Sequence, residues 1–204
     1  MSAARILVFA GSARRDSLNK KLARVAAEAV RAAGGEATCI DLQDYPMPLY
    51  HGDLEAAEGM PPNGMRLREL FMQHDALLIA SPENNSSVSA LLKNTLDWVS
   101  RSIGDGKGDN SGLAPYRNKV AAMVGASPGA FGGVRGLMHL RQILAALGVT
   151  VLGTQLTLPR AHEAFDAEGA LRSADTHEAL RRLATALAEM AARLREPKAP
   201  GRMV

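Results

Sequence analysis

Three polar loops along the chain hold the side chains that could bind a small molecule or react with it. The first, residues 11–19, contains two serines, two arginines and an asparagine, and a helical pattern starts within it. Free N–H groups, the helix dipole and the guanidinium of Arg14 together favour a bound phosphate at such a place. The alternative is that Ser17 or Asp16 only caps the helix.

This first loop differs from the two best-known phosphate-binding loops. The dinucleotide fingerprint has glycine where this chain has Ala13 and Asp16, and the P-loop has a Gly-Lys pair where it has Asp16 and Ser17. Hydroxyl side chains can enclose a terminal phosphate monoester, whereas a pyrophosphate must lie along bare backbone. The loop therefore favours a phosphate monoester.

The second polar loop, residues 81–87, reads Ser-Pro-Glu-Asn-Asn-Ser-Ser and leads into another helical pattern. Consecutive amide side chains and backbone N–H groups beside a rigid proline can pair with the donors and acceptors of a planar heterocycle. The alternative is an ordinary turn followed by a helix cap, for which Asn and Ser are also the usual residues.

The third polar loop, residues 125–133, contains four glycines, and its first five residues match the nucleophile elbow of hydrolases. Ser127 would be the nucleophile, with His162 or His177 downstream as a base. Pro128 argues against this interpretation, because the oxyanion hole of an elbow uses the N–H that follows the serine. The glycines instead allow the backbone to lie against a flat ligand.

The elements that must position these loops alternate between short apolar runs and segments of helical period. Strands are predicted at residues 5–10, 37–42, 76–81, 119–125 and 150–157. Helices are predicted at residues 17–33, 64–74, 88–101, 134–147 and 174–194, with irregular stretches at 44–62 and 104–115. This alternation is typical of a parallel sheet covered on both faces, in which ligands bind beyond the carboxyl ends of the strands.

Composition limits the class of protein. The 204 residues are 47% hydrophobic, so we expect one unit over residues 1–196 and a mobile tail at 197–204. A net charge of +3, few aromatic residues and short apolar runs argue against nucleic-acid and membrane partners. One cysteine, Cys39, forms no internal disulfide, and the histidines lack metal-ligand spacing. We therefore expect a cytoplasmic protein without a bound metal.

Together, the three loops resemble those of the NADPH-dependent FMN reductase family, flavodoxin-like proteins that include chromate, quinone and azo-compound reductases. The matching segments are residues 11–19, residues 82–87 with 92–98, and residues 127–129 with Gly132, Gly133 and Arg135. The resemblance implies an α/β, flavodoxin-like, doubly wound five-stranded parallel sheet of order 2-1-3-4-5 in a three-layer sandwich. It also implies FMN at the carboxyl edge of the sheet.

The resemblance assigns roles by position. The residues carried over onto the FMN phosphate and its turn are Ser12, Arg14, Ser17, Leu18 and Asn19. Those carried over onto the isoalloxazine ring are Pro82, Glu83, Asn84, Asn85, Ser127, Gly129 and Gly132. Two positions depart from the family pattern, since Asn84 replaces a common tyrosine and Ser89 a common proline. The first departure predicts weaker FMN binding, because an aromatic contact is worth roughly 0.5–1.5 kcal/mol.

The implied activity is ping-pong hydride transfer from NADPH or NADH through FMN to a small acceptor such as a quinone, flavin, chromate or azo compound. No catalytic side chain is predicted, because the flavin performs the chemistry. Arg15 and Arg101 are predicted to guide the phosphates of the nicotinamide nucleotide, and a homodimer or homotetramer is implied. Two alternatives stay open: an FMN electron carrier without NAD(P)H turnover, and a Ser127 hydrolase.

Overall fold

The sheet forms where the sequence has runs of aliphatic and β-branched residues. In the computed structural model, which describes residues 3–195, helices cover both faces of its central strands. The strands are β1 (Arg5–Ala10), β2 (Glu36–Asp41), β3 (Ala76–Ala80), β4 (Val120–Ala126), β5 (Thr150–Val151) and β6 (Leu156–Leu158). They pair in parallel in the order β2-β1-β3-β4-β5, and β6 also pairs with β4. The predicted order 2-1-3-4-5 is confirmed.

The fifth position of the sheet differs from the continuous strand that the sequence predicts. Thr150 pairs with Val120 at its start. Leu156 pairs with Val124 further along, so six steps on this edge match four steps on β4. The extra residues form a bulge around Gly153, a residue type that weakens a strand interior. Two short strands, β5 and β6, therefore replace one long strand.

Helices form the outer layers. They are α1 (Leu18–Ala32), α2 (Gly52–Glu58), α3 (Pro62–Gln73), α4 (Ala90–Val99), α5 (Val134–Ala146) and α6 (Ala174–Arg195). On α1, Leu22, Ala26 and Val30 recur at helical spacing and are fully buried. One hydrophobic cluster joins α1 and α6 to one face of the sheet, and a second joins α3, α4 and α5 to the other. The result is the three-layer sandwich that the resemblance implied.

Helix α2 was not predicted, because it lies in a stretch that the sequence marks as irregular. It buries none of its residues, so no apolar periodicity reveals it. The imidazole of His51 caps it by accepting a hydrogen bond from the N–H of Asp53 at 3.2 Å. Asp53 and Glu55 also place negative charge near its amino end. The prediction of irregular structure was therefore wrong at this helix.

Strands β1, β3 and β4 end side by side, so the three polar loops start at one edge of the sheet. Ala10 is in register with Ala80, which is in turn in register with Val124. The N–H of Gly11 donates to the carbonyl oxygen of Ala80 at 2.9 Å. Similarly, the N–H of Ser81 donates to the carbonyl oxygen of Val124 at 2.9 Å. The strand ladder thus extends into the loops and fixes where each begins.

Among residues 3–195, no helix is both long enough and apolar enough to cross a membrane. The predicted tail at 197–204 lies outside the described residues. A single unit over residues 1–196 stays a prediction.

A buried lysine stands at the amino end of the sheet, opposite the polar loops. Lys119 is 5% exposed, and its ammonium group donates to the carbonyl oxygen of His74. Burial lowers the pKa of Lys119 from 10.5 to about 8, while the carboxylate of Asp75 opposes this shift and Arg5 adds to it. The folded state therefore favours the neutral amine more than the unfolded chain does.

We expect Lys119 to make the free energy of unfolding rise between pH 8 and pH 10.5. Below this range both states hold the proton, whereas within it the unfolded chain binds a proton that the folded chain lacks, so raising the pH favours folding. The gain is on the order of 2–3 kcal/mol. Urea unfolding at several pH values across this range measures it. Lys119→Met should show a smaller gain, and parallel pH curves for the two proteins would contradict the assignment.

Candidate functional site

A cavity of about 400 Å³ opens at the carboxyl edge of the sheet, where the three polar loops meet. Its walls are the first loop, the second loop with the start of α4, and the end of β4 with the third loop. Nine of the twelve residues predicted to bind a cofactor line this cavity. They are Ser12, Arg14, Ser17, Leu18, Asn19, Pro82, Glu83, Asn84 and Ser127.

The first loop brings the amino end of α1 to the cavity. Ser17 is the N-cap, and its hydroxyl oxygen accepts a hydrogen bond from the N–H of Lys20 at 3.3 Å. The N–H groups of Leu18 and Asn19 begin the helix and have no acceptor within the described part of the chain. The first turn contains no acidic residue, so no carboxylate within the helix offsets the positive end of its dipole.

Arg14 and Ser12 add a positive charge and a hydroxyl group to this wall. The guanidinium of Arg14 is exposed and forms no hydrogen bond or ion pair with residues 3–195. Ser12 is 8% exposed, and its hydroxyl oxygen accepts a hydrogen bond from the N–H of Arg14 at 3.4 Å. Its own hydroxyl hydrogen remains able to donate. These groups form the donor set that an anion requires.

Asn19 joins the first loop to the end of β4. Its side-chain nitrogen donates to the carbonyl oxygen of Ala126 at 2.9 Å, and its side-chain oxygen accepts from the N–H of Ala126 at 2.9 Å. The residue is 3% exposed. The amide therefore fixes two walls of the cavity relative to each other, in addition to lining it. A contact between Asn19 and a phosphate stays a prediction.

The second loop makes a tight turn beside the cavity. Asn84 and Ser87 exchange two backbone hydrogen bonds at 2.9 and 3.0 Å, and Asn85 and Ser86 between them have φ values of +49° and +63°. Both values are left-handed, as a type I′ turn requires. Asn84 lines the cavity and is exposed, whereas Asn85 lies outside the cavity lining.

Ser89 connects the second loop to the first. Its hydroxyl group donates to the carbonyl oxygen of Gly11 and accepts from the N–H of Leu92 at 3.1 Å, which caps α4. A Cβ atom on Gly11 would lie 2.8 Å from the Cβ of Leu92, so only glycine permits this close approach. The serine in place of the family's proline therefore joins two walls of the cavity.

Glu83 ties the second loop to α5. Its carboxylate accepts hydrogen bonds from Arg135 at 2.8 Å and from the N–H of Gly136 at 3.1 Å. Burial acts to raise the pKa of Glu83, but the hydrogen bonds from Gly136 and Arg135 outweigh it and hold the pKa below its ordinary value. The carboxylate is therefore ionised and engaged with α5, which leaves the backbone of Glu83 to face a ligand.

The third loop packs Gly132 against β6 and the residue that follows it. Gly132 has a φ of +60°, and a Cβ atom there would lie 2.9 Å from the backbone nitrogen of Pro159. Gly133 also has a left-handed φ, of +90°, and stands at the N-cap of α5. Gly129 and Gly132 lie outside the cavity lining, so flavin contacts by these two glycines and by Asn85 stay predictions.

The Ser127 hydrolase finds no support in this geometry. The hydroxyl oxygen of Ser127 accepts a hydrogen bond from the N–H of Gly129 at 3.1 Å. Within residues 3–195, no histidine ring is hydrogen-bonded to it. Pro128 has no N–H for an oxyanion hole. The residues that a triad would need are therefore not assembled.

Seven further residues line the cavity that sequence reasoning did not assign to it. They are Gly11, Ala13, Ser89, Ala90, Leu91, Ala126 and Pro128. The signal for Ser89 was available, since a serine three residues before Leu92 at a helix start is a typical N-cap. The other six residues contribute backbone or small apolar surface, and their residue types do not predict a place in a cavity.

The residues present fit FMN. The donor set of the first loop, with its hydroxyl groups, free N–H groups and unpaired guanidinium, suits a phosphate monoester. The remaining walls combine the backbone of the second and third loops with Leu91 and Pro82, which suits a planar heterocycle. The cavity also lies where the strand order reverses between β1 and β3, the usual place for a ligand in an open α/β sheet.

A parallel sheet of this order with a phosphate-type loop after its first strand defines a flavodoxin-like protein. The chain belongs to the NADPH-dependent FMN reductase family, whose pattern it matches over residues 4–163. It is 39% identical to an NAD(P)H-dependent FMN reductase of Pseudomonas aeruginosa over 158 residues, which are 76% of this chain and 80% of that protein. Family membership gives FMN as the cofactor and NAD(P)H as the electron donor.

A plant relative and a solved structure extend the comparison over nearly the whole chain. An NADPH:quinone oxidoreductase of Arabidopsis thaliana is 34% identical, with 93% of each chain covered. The flavoenzyme NAD(P)H:(acceptor) oxidoreductase FerB of Paracoccus denitrificans has a TM-score of 0.75 at 26% identity, with 93% of this chain and 98% of that chain covered. An archaeal flavodoxin, 9% identical with a TM-score of 0.54, shares the fold alone.

Proposed function

We propose that this chain is an NAD(P)H:quinone reductase that binds FMN in the cavity at the carboxyl edge of the sheet. The observation that carries the proposal is the first loop, where a helix terminus with free N–H groups, two serines and an unpaired arginine surround one end of the cavity. When bound, FMN supplies a two-electron carrier between NAD(P)H and an acceptor. A quinone is the acceptor class because relatives that cover over 90% of the chain are named quinone oxidoreductases.

The protein's own contribution is binding and orientation. Ser12, Arg14 and the N–H groups that begin α1 would hold the phosphate and so fix one end of the cofactor. Pro82, Glu83 and Ser127 line the cavity, and their backbone groups would face the ring. The hydrogen bonds of Asn19 and Glu83 keep these walls in place. No side chain is required to transfer a proton as a catalytic acid or base. The three loops would set the position of the flavin ring.

The visible spectrum of the purified protein tests the proposal. We expect flavin bands that bleach on anaerobic addition of NADPH and return on addition of 1,4-benzoquinone, with NADP⁺ and the hydroquinone as products. A flavin that NADPH and NADH do not bleach would indicate the electron carrier instead. A colourless protein that does not take up added FMN would refute the proposal.

We further propose that the chain acts as a cytoplasmic homodimer or homotetramer. The segment before α2 is held on α4 by Trp98, whose indole N–H donates to the carbonyl oxygen of Pro48 at 2.9 Å. Leu49, at the tip of this segment, is 77% exposed, which supports a subunit contact there. Sedimentation velocity of the purified protein measures the state, and a monomer at micromolar concentration would refute this part. The lone cysteine supports a reducing compartment.

Asn84→Tyr is expected to lower the dissociation constant of FMN by about two- to tenfold, because an aromatic contact adds roughly 0.5–1.5 kcal/mol. Asn84 lines the cavity with an exposed side chain that bonds to no other residue of the described chain, so its replacement breaks no contact. Quenching of FMN fluorescence on titration with apoprotein measures the constant. Asn84→Leu is the matched control, and an equal gain from leucine would contradict an aromatic effect.

A further inference from the structure

A second cavity, of about 410 Å³, lies between α1 and the edge strand β2. The first loop forms a wall of both cavities, since Arg14 lines the first cavity and Arg15, the next residue, lines the second. The binding of FMN described above uses no group of this second cavity. Its lining therefore needs an explanation of its own.

Positive charge exceeds negative charge around the second cavity. The buried ammonium of Lys20 is neutralised by the carboxylate of Asp41 at 2.7 Å and also donates to Gln43 at 2.8 Å. Arg24 uses only its Nε, which donates to the carbonyl oxygen of Lys20 at 3.3 Å. Arg15 forms no hydrogen bond or ion pair within the part of the chain that the structure describes. Two guanidinium groups therefore remain without a counter-charge.

The remaining lining of the second cavity consists of three aliphatic residues and the exposed Cys39. Ala10 and Ala23 are 3% and 2% exposed, and Ile40 lies beside them on β2. Ile40 is half-buried and Cys39 is exposed, so these two residues of β2 supply the accessible surface on which a planar ring could lie. An apolar floor with two guanidinium groups at its margin suits a nucleobase attached to a phosphate monoester, because arginine forms paired hydrogen bonds with phosphate oxygens.

The contacts of Asp41 indicate whether the second cavity suits a ribose with a 2′-phosphate or a ribose with free hydroxyl groups. At the end of the second strand a free carboxylate would accept hydrogen bonds from ribose hydroxyl groups, whereas a free guanidinium group would bind a phosphate attached to the ribose. Here the ammonium of Lys20 occupies the carboxylate of Asp41, and the arginines are available. The charge distribution therefore favours the 2′-phosphate.

We propose that the second cavity binds the 2′-phosphorylated adenosine end of NADPH, with Arg15 and Arg24 as the groups that hold the phosphate. The proposal rests on the proposed function, and it assigns any preference for NADPH over NADH to these two residues. Arg15 thereby serves the nucleotide phosphate, as the sequence suggested. Arg101 lies elsewhere, with its guanidinium 5.1 Å from the ring centre of Tyr50.

The test uses 2′,5′-ADP as the probe and calorimetric titration of the holoprotein as the measurement. Arg15→Gln and Arg24→Gln should each weaken binding about tenfold, through loss of a charged hydrogen bond to phosphate. Arg31→Gln is the matched control, because Arg31 lies on the same helix but pairs with Glu28 at 2.6 Å outside the cavity. It should bind 2′,5′-ADP as the native protein does.

Three results would overturn the proposal. The double variant of Arg15 and Arg24 could bind 2′,5′-ADP as tightly as the native protein, or Arg31→Gln could weaken binding equally. Inorganic phosphate could bind as tightly as 2′,5′-ADP, which would exclude recognition of the adenosine. In the expected case, 5′-AMP binds more weakly than 2′,5′-ADP, and the kcat/KM ratio of NADPH to NADH falls in both arginine variants.

Failure of this proposal is distinguishable from failure of the proposed function. A protein that oxidises NADPH and NADH with equal kcat/KM and binds 2′,5′-ADP no better than 5′-AMP refutes the second site only. A protein that takes up no flavin refutes the proposed function, while the 2′,5′-ADP titration still reports on the second cavity.

Discussion

Exchange of Arg14 for glutamine is expected to raise the dissociation constant of FMN by about 10- to 100-fold. One charge-assisted hydrogen bond to the phosphate is lost, and such a bond is worth roughly 1.5–3 kcal/mol. The side chain of Arg14 bonds to no residue of the described chain, so its removal should leave the fold intact. Riboflavin lacks the phosphate and should bind equally to both proteins. Fluorescence quenching during titration of the apoprotein gives both constants.

Arg15→Gln is the control for this prediction, because it removes the same charge from the adjacent residue. Arg15 lines the second cavity, so its exchange should change the FMN constant less than twofold. The effect at Arg14 should also shrink at high salt, since the group is exposed and screened. Equal losses of FMN and riboflavin, or equal effects of the two arginines, would show that the phosphate does not bind at this end of the cavity.

Elements that bury a regular apolar face were predictable, and elements that bury little were not. The helix α1 was predicted to within one residue because Leu22, Ala26 and Val30 mark its face. The exposed α2 has no such mark. The bulge after β5 depends on a distant residue, because Arg141 on α5 donates to the carbonyl oxygen of Leu152 at 2.8 Å. Local pattern cannot reveal a partner eleven residues away on another element.

The candidate site shows the same division between residue type and residue role. The sequence predicted that Ser12, Arg14 and Ser17 would surround one end of a cavity, because they follow the first strand. The sequence did not predict that the amide of Asn19 bonds to both backbone groups of Ala126, because 107 residues separate the two. Glu83 is similar, since its ion pair with Arg135 is visible only in three dimensions. Sequence thus predicts which loops meet but not which side chains hold them together.

The sequence analysis predicted no role for Arg68, a buried arginine of the described chain. Arg68, on α3, is 2% exposed, and its guanidinium donates to four backbone carbonyl oxygens, one at the end of α4 and three in the segment that follows it. The acceptors belong to Val99, Arg101, Asp109 and Ser111, at 3.4, 3.3, 2.5 and 2.7 Å. This single side chain therefore satisfies backbone groups that no helix or strand pairs.

Arg68→Met is expected to lower the free energy of unfolding by about 2–3 kcal/mol, because one buried and three part-buried carbonyl oxygens would lose a charged donor. Methionine fills most of the volume but donates no hydrogen bond. Lysine keeps the charge as a single point, which cannot reach four carbonyl oxygens at once, so Arg68→Lys should recover only part of the loss. Urea unfolding at constant pH measures the three proteins.

Arg66→Met, two residues earlier on α3, separates this effect from a general loss of positive charge. Arg66 donates to the exposed side chain of Asn63 at 3.0 Å and lies 4.8 Å from the ring centre of Tyr45, contacts worth about 1 kcal/mol or less. If both variants lost the same stability, the carbonyl contacts of Arg68 would contribute little. If only Arg68→Met unfolds easily, the guanidinium of Arg68 is a main stabiliser of the segment after α4.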